Sequence, residues 1–160
     1  MTTLTIYHIS LVTHIVGLTM MAGTTFVDYV LFKQFWKQLA INEAKGLAIN
    51  EAMSKLPILF GLGITLLIIS GVSMMAITHG VFGEQIWFRI KFGLVIIIII
   101  NGLAVGRRLG LKLRKILSEK ASEKNVEEKL FKVKSSLSLF HISQMALFIT
   151  IFVLSVFKFN

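Results

Sequence analysis

Four histidines, His8, His14, His79 and His141, lie in or beside long apolar runs of a chain that has seven methionines and no cysteine. Neutral imidazole and thioether sulfur are ligands for haem iron and for copper. The lack of cysteine excludes disulfides, thiolate metal sites, iron–sulfur clusters and cysteine nucleophiles together. His8 and His14 are six residues apart, which at about 100° per residue sets them roughly 120° apart around a helix. One metal therefore takes a single ligand from this run. The deeper His14 suits that role, with either an open position or a second ligand drawn from Met74, Met75 or His79, and with Arg89 and Lys91 placed to pair with haem propionates. For copper the candidate donors are His14, His8 and His79. A second group, Asp28, Asn101, His141 and Gln144, offers an acid and an imidazole at matching depth. Such a set acts either as a proton relay or as a structural polar layer.

These residues need elements to position them. The 160 residues are 55% hydrophobic and 16% charged, with a single proline, an apolar content above that of a soluble domain of this size. Four runs, about 4–32, 56–78, 86–105 and 137–157, reach the roughly 20 residues that cross about 30 Å of hydrocarbon as a helix. Stretches such as "GLVIIIIINGLAVG" show no dyad alternation, and backbone in lipid must be satisfied within a helix or a closed barrel. The expected fold is all-α: one transmembrane domain, residues 1–160, forming an integral membrane four-helix bundle. Met1-Thr2-Thr3 lacks the positive flank and cleavage site of a signal peptide, so the first run is expected to stay as a helix.

Net charge is +9, and the segments 33–55 and 107–134 together hold 14 of the 17 lysines and arginines. Four spans put both segments on one side, and the positive-inside rule makes that side cytoplasmic, with N and C termini outside. A basic face so placed meets the anionic headgroups of membrane lipids rather than nucleic acid, each cation near them contributing about 1 kcal/mol. The first connection contains a duplicated octet, "LAINEAKG" then "LAINEAMS". Its composition predicts that the first helix runs on beyond the membrane or that a short surface helix forms, before Pro57 opens the second span. The second connection mixes Leu, Ile and Phe with charges at helical spacing and predicts an amphipathic hairpin extending the third and fourth helices. "THGVFGEQ" is a short turn on the opposite side.

Stepping by three and four along the first span gives Tyr7, Ser10, His14, Gly17, Met21, Thr24 and Asp28, all polar, small or polarisable, and predicts that this stripe faces the other helices. The same stepping gives Gly63, Leu67, Ser70 and Met74 on the second, Lys91, Leu94, Ile98, Asn101 and Val105 on the third, and His141, Gln144, Phe148, Ile151 and Ser155 on the fourth. Gly102, Gly106 and Gly110 permit close approach. Two polar layers with an aliphatic middle are expected, one of His8, His79, Arg89 and Lys91 near the external end with His14 about two turns deeper, and one of Asp28, Asn101 and His141.

No GxSxG, HExxH or phosphate loop is present, which leaves hydrolases without a motif. Four short spans lacking broken helices or repeated halves also argue against a secondary transporter unless the chain oligomerises. The order of "YHISLVTHIVGL", "KLPILFGLGITLLIISG", "WFRIKFGLVIIIIINGLAVGRRL" and a last helix ending "VFKFN" resembles small bacterial membrane proteins of the HemJ type, and the CopD-like copper-resistance domains related to them. The sharpest local match is the W-x-x-x-K of Trp87 and Lys91. The family's first-helix histidine falls on His8 if the "HI" pair is aligned, and on Tyr7 if Thr13, Gly17 and Leu18 are. The resemblance implies a bacterial inner-membrane protein that binds a b-type haem or porphyrin between its helices and, if an enzyme, an oxidoreductase associated with oxidation of protoporphyrinogen, with a porphyrin or quinone as partner. The other class of function open to the sequence is a cofactor-free membrane protein, either an oligomeric channel or proton relay using Asp28 and His141, or an assembly partner, with a homo-oligomer open in each case.

Overall fold

A computed structural model describes residues 2–119 and 125–157. Within them the order is α1 (Thr3–Ile41), α2 (Glu43–Met53), α3 (Leu56–Ile77), a 3₁₀ turn (Val81–Glu84), α4 (Ile86–Ile100), a π-helical segment (Asn101–Gly106), α5 (Arg107–Glu119) and α6 (Val126–Val156), with no strand among the described residues. Four helical rods are long and apolar enough to cross a membrane. The protein is an all-α, multi-pass membrane bundle. Lys120 and Lys124 of the basic connection, and the last three residues, lie outside the described residues.

Local chemistry sets the ends of these rods. The Thr2 hydroxyl accepts the Thr5 N–H at 3.4 Å and caps α1. Asn42 leaves the helix at φ −148°, and its side chain accepts the Lys45 N–H at 3.1 Å, closing α1 and opening α2 in one residue. Pro57 sits in the first turn of α3. His79 and Gly80 take φ of 51° and 75°, the left-handed geometry that turns the chain toward α4. With 39 residues, α1 is about 58 Å long, nearly twice the hydrocarbon thickness. Its surplus stands with α2, α5 and the start of α6 at one end of the bundle, the extension end. The 3₁₀ turn marks the other, the turn end.

Both copies of the octet are used, in different conformations. The first ends α1 and turns at Asn42, and Gly46 then brings α2 so close to α1 that a Cβ there would lie 2.9 Å from the Leu39 Cα. The second runs through α2 as helix and packs Ile49 and Met53 against a core of Phe32, Phe35, Leu113, Ile116, Val126, Val133 and Leu137.

Inside the membrane the helices gain little from the hydrophobic effect, since lipid is as apolar as leucine, so close packing must hold them. Gly17 of α1 and Gly63 of α3 supply it. A Cβ at Gly17 would lie 2.9 Å from the Gly63 carbonyl oxygen, and one at Gly63 would lie 2.9 Å from that of Gly17. The backbones are in contact. Around this crossing Met21, Phe60, Ile64, Leu67, Ile98, Phe148 and Ile151 form a buried cluster joining α1 and α3 to α4 and α6.

Two expected stripes shift. On α1 the buried threonine is Thr25, and Thr24 is only half-buried, because over several turns a straight helix follows 3.6 rather than 3.5 residues per turn. On the third rod the stripe holds as far as Asn101, but Val105 is exposed. The π-helical segment causes this: one extra residue in a turn rotates everything after it by about 100°. The inward positions become Gly102, against the Phe60 ring, Gly106, against Phe140, and then Leu113 and Ile116.

Candidate functional site

The outer polar layer, nearer the turn end, is centred on His14. Its Nδ1 lies 3.0 Å from the Ser70 Oγ across the α1–α3 crossing. That hydroxyl has one proton and a closer acceptor, the Leu66 carbonyl at 2.6 Å. Ser70 therefore donates to its own helix and accepts from His14, which assigns the imidazole proton to Nδ1 and leaves a lone pair on Nε2. Metal-binding histidines are commonly braced in this way at the nitrogen remote from the metal. Gly71 adds room, since a Cβ there would come no closer than 3.6 Å to the ring. His14 and Lys91 are half-buried, and Lys91 stands within electrostatic reach of the imidazole.

The α1–α3 ladder pairs Gly17 with Leu67 and His14 with Ser70. Continued by one turn, it sets Met74 level with Ser10 rather than His14. Met74 is half-buried and Met75 exposed. His8 is exposed, its ring edge-on to Tyr7 at 6.1 Å between centroids. His79 is an exposed turn residue. Arg89 is also exposed, and its Nε donates to the Gly83 carbonyl at 2.9 Å, bracing the turn. Among the described residues no three histidine, aspartate or glutamate side chains converge as metal ligands. His14, His8 and His79 are thus not gathered, and His14 is the one that faces a neighbouring helix with a fixed tautomer.

The inner layer divides into two pairs. Asn101 donates from Nδ2 to the Gln144 Oε1 at 2.7 Å, and Gln144 donates from Nε2 to the Ile98 carbonyl at 3.0 Å. Gln144 thus reaches into the backbone ladder where the π-helical segment begins. One turn away, His141 Nδ1 lies 3.8 Å from Asp28 Oδ2. His141 is 1% exposed, and neither ring nitrogen has a hydrogen-bond partner. Phe32, Phe140 and Tyr29 surround it, with ring centroids at 4.9, 5.2 and 6.0 Å.

All four inner residues were on the expected stripes, and depth alone paired Asp28 with His141. Ser70 was named only as a stripe residue, because bracing His14 depends on the register between two helices. The aromatic enclosure of His141 was also missed; Phe32, four residues after Asp28, was the signal at helical spacing, while Tyr29 and Phe140 are only chain neighbours of Asp28 and His141. No protein-family model, curated protein or solved structure matches this chain.

Proposed function

We propose that the protein is a haem-binding redox protein of a bacterial inner membrane, holding a b-type haem or a related porphyrin in the outer half of the bundle, with both termini outside and the extension end in the cytoplasm. The observation that carries this reading is the His14–Ser70 hydrogen bond, which braces the imidazole at Nδ1 and leaves Nε2 as the nitrogen that could ligate. Three features support the reading: one braced imidazole, a small residue beside it and the cation of Lys91 within reach. A bound haem would supply a one-electron couple. His14 would hold the group through its imidazole, Ser70 would hold the ring orientation, and Lys91, with Arg89 nearer the surface, would balance negative charge on it. The resemblance to HemJ-type proteins supports a porphyrin or quinone as the redox partner, and copper is the alternative metal for the same imidazole.

Visible spectra of the purified protein, expressed with added haem, before and after dithionite test this. A Soret band that collapses in His14→Ala and survives in His8→Ala is expected. No band in the wild type, or a band that depends on His8 alone, overturns the assignment.

A further inference from the structure

Among the described residues, His141 is the side chain with both of its buried polar atoms unpaired. A fully buried imidazole with both nitrogens unpaired is costly, and such groups in native proteins call for a catalytic role or an occupant that satisfies them. The aromatic enclosure leaves little room for a large ligand. A proton needs none.

We infer that Asp28 and His141 form a proton-loading site that opens at Asp28 and ends blind inside the bundle. Asp28 is the mouth: its side chain is 28% exposed against 1% for His141, and it lies four residues from the extension end of the expected 4–32 span, within reach of headgroup water. Lys33 holds its Nζ 4.5 Å above the ring of Tyr29, the residue after Asp28, so a cation stands close along the chain to the carboxylate. In the loading step hydronium gives its proton to the Asp28 carboxylate and leaves as water. The carboxylic acid then donates a hydrogen bond to the His141 Nδ1, so the proton is held between the two side chains and no net charge is left in the dry interior. Closing the gap from 3.8 Å to hydrogen-bond length takes about 1 Å, within a side-chain adjustment of Asp28.

The route ends there because of what lies on either side. Toward the turn end come Met21, Leu67, Ile98, Phe148 and Ile151, all buried and apolar, before Ser70 and His14. Toward the extension end come Phe35, Val133 and Leu137. Around the imidazole, α1 contributes Asp28 and Tyr29, while Asn101 and Gln144 one turn away are neutral amides. Lys33 and Lys134 are engaged over the Tyr29 and Trp36 rings. The carboxylate is thus the charged partner facing His141.

The test uses the full chain in liposomes. Infrared difference spectra between acid and alkaline buffer are expected to show one carboxylic-acid band that disappears in Asp28→Asn and shifts in His141→Phe. Nitrogen-15 histidine spectra of the wild type are expected to show the His141 Nδ1 signal changing over the same pH range as the carboxylic-acid band. His141→Phe should unfold no more easily than wild type, because it removes the unpaired nitrogens, whereas a merely structural histidine would be missed. A band indifferent to His141→Phe, or a His141 signal that never changes with pH, overturns the site. Steady proton flux that Asp28→Asn abolishes overturns its blind end.

Discussion

Substituting Gly17 by alanine tests whether backbone contact between α1 and α3 holds the bundle and sets the outer site. The new methyl would lie 2.9 Å from the Gly63 carbonyl oxygen, 2.9 Å from the Leu67 nitrogen and 3.1 Å from the Leu66 Cβ. Two of these are backbone atoms that cannot swing away. Reaching ordinary contact requires the helices to separate by about 0.5 Å at this level, and overpacking of this kind costs about 1–3 kcal/mol. Alanine also favours helix over glycine by about 1 kcal/mol, which would mask part of the effect. Gly23→Ala removes that ambiguity, since a Cβ at Gly23 meets nothing within 4 Å. The difference between the two variants isolates the steric part, about 2 kcal/mol, or roughly thirtyfold in the unfolding constant. Because His14 lies one turn away, the same separation stretches its 3.0 Å contact with Ser70 toward the limit of a hydrogen bond. Reversible unfolding in mixed micelles measures the first effect, and nitrogen-15 spectra of His14 the second. Equal stability of Gly17→Ala and Gly23→Ala would refute the argument.

Ser70→Ala should release the His14 tautomer into a mixture, visible in the same nitrogen-15 spectra, at a stability cost of about 1 kcal/mol. Gln144→Leu leaves the Asn101 amide unpaired at the π-helical segment and should cost about 1–3 kcal/mol, and adding Asn101→Leu should recover most of it, as a double-mutant unfolding cycle would show. His79→Gly relieves a left-handed backbone on a residue with a Cβ and should stabilise the turn by about 1 kcal/mol, read as a higher unfolding midpoint. Lys132→Ala breaks an exposed pair with Glu128 four residues away, 2.6 Å long, and should change stability by less than about 0.5 kcal/mol in the same assay.

The spans, the helical extensions and the inward face of α1 were legible because they rest on length, charge placement and periodicity, each a property of a single segment. Events that depend on two segments were not. Val105 was expected inward because periodicity in "IIIIINGLAVG" does not reveal an extra residue in the turn; Asn101 after a run of isoleucines and the glycines at 102 and 106 are weak hints of it. The octet makes the same point from the other side. Asn42 and Asn50 occupy equivalent positions of the repeat, yet Asn42 ends a helix and Asn50 continues one, because only at the first copy does α2 fold back against α1 through Gly46. His14 and Ser70 were both on inward stripes, and it took the register fixed by Gly17 and Gly63 to bring them into contact.

That glycine crossing also bears on how the molecule can move. Helices welded backbone to backbone travel as one plate, so α1 and α3 should tilt together, and a change of shape in the membrane should occur between this plate and the pair formed by α4 and α6. Asp28 and His141 stand on opposite banks of that seam. The 3.8 Å between them is therefore the gap that such a tilt would open or close.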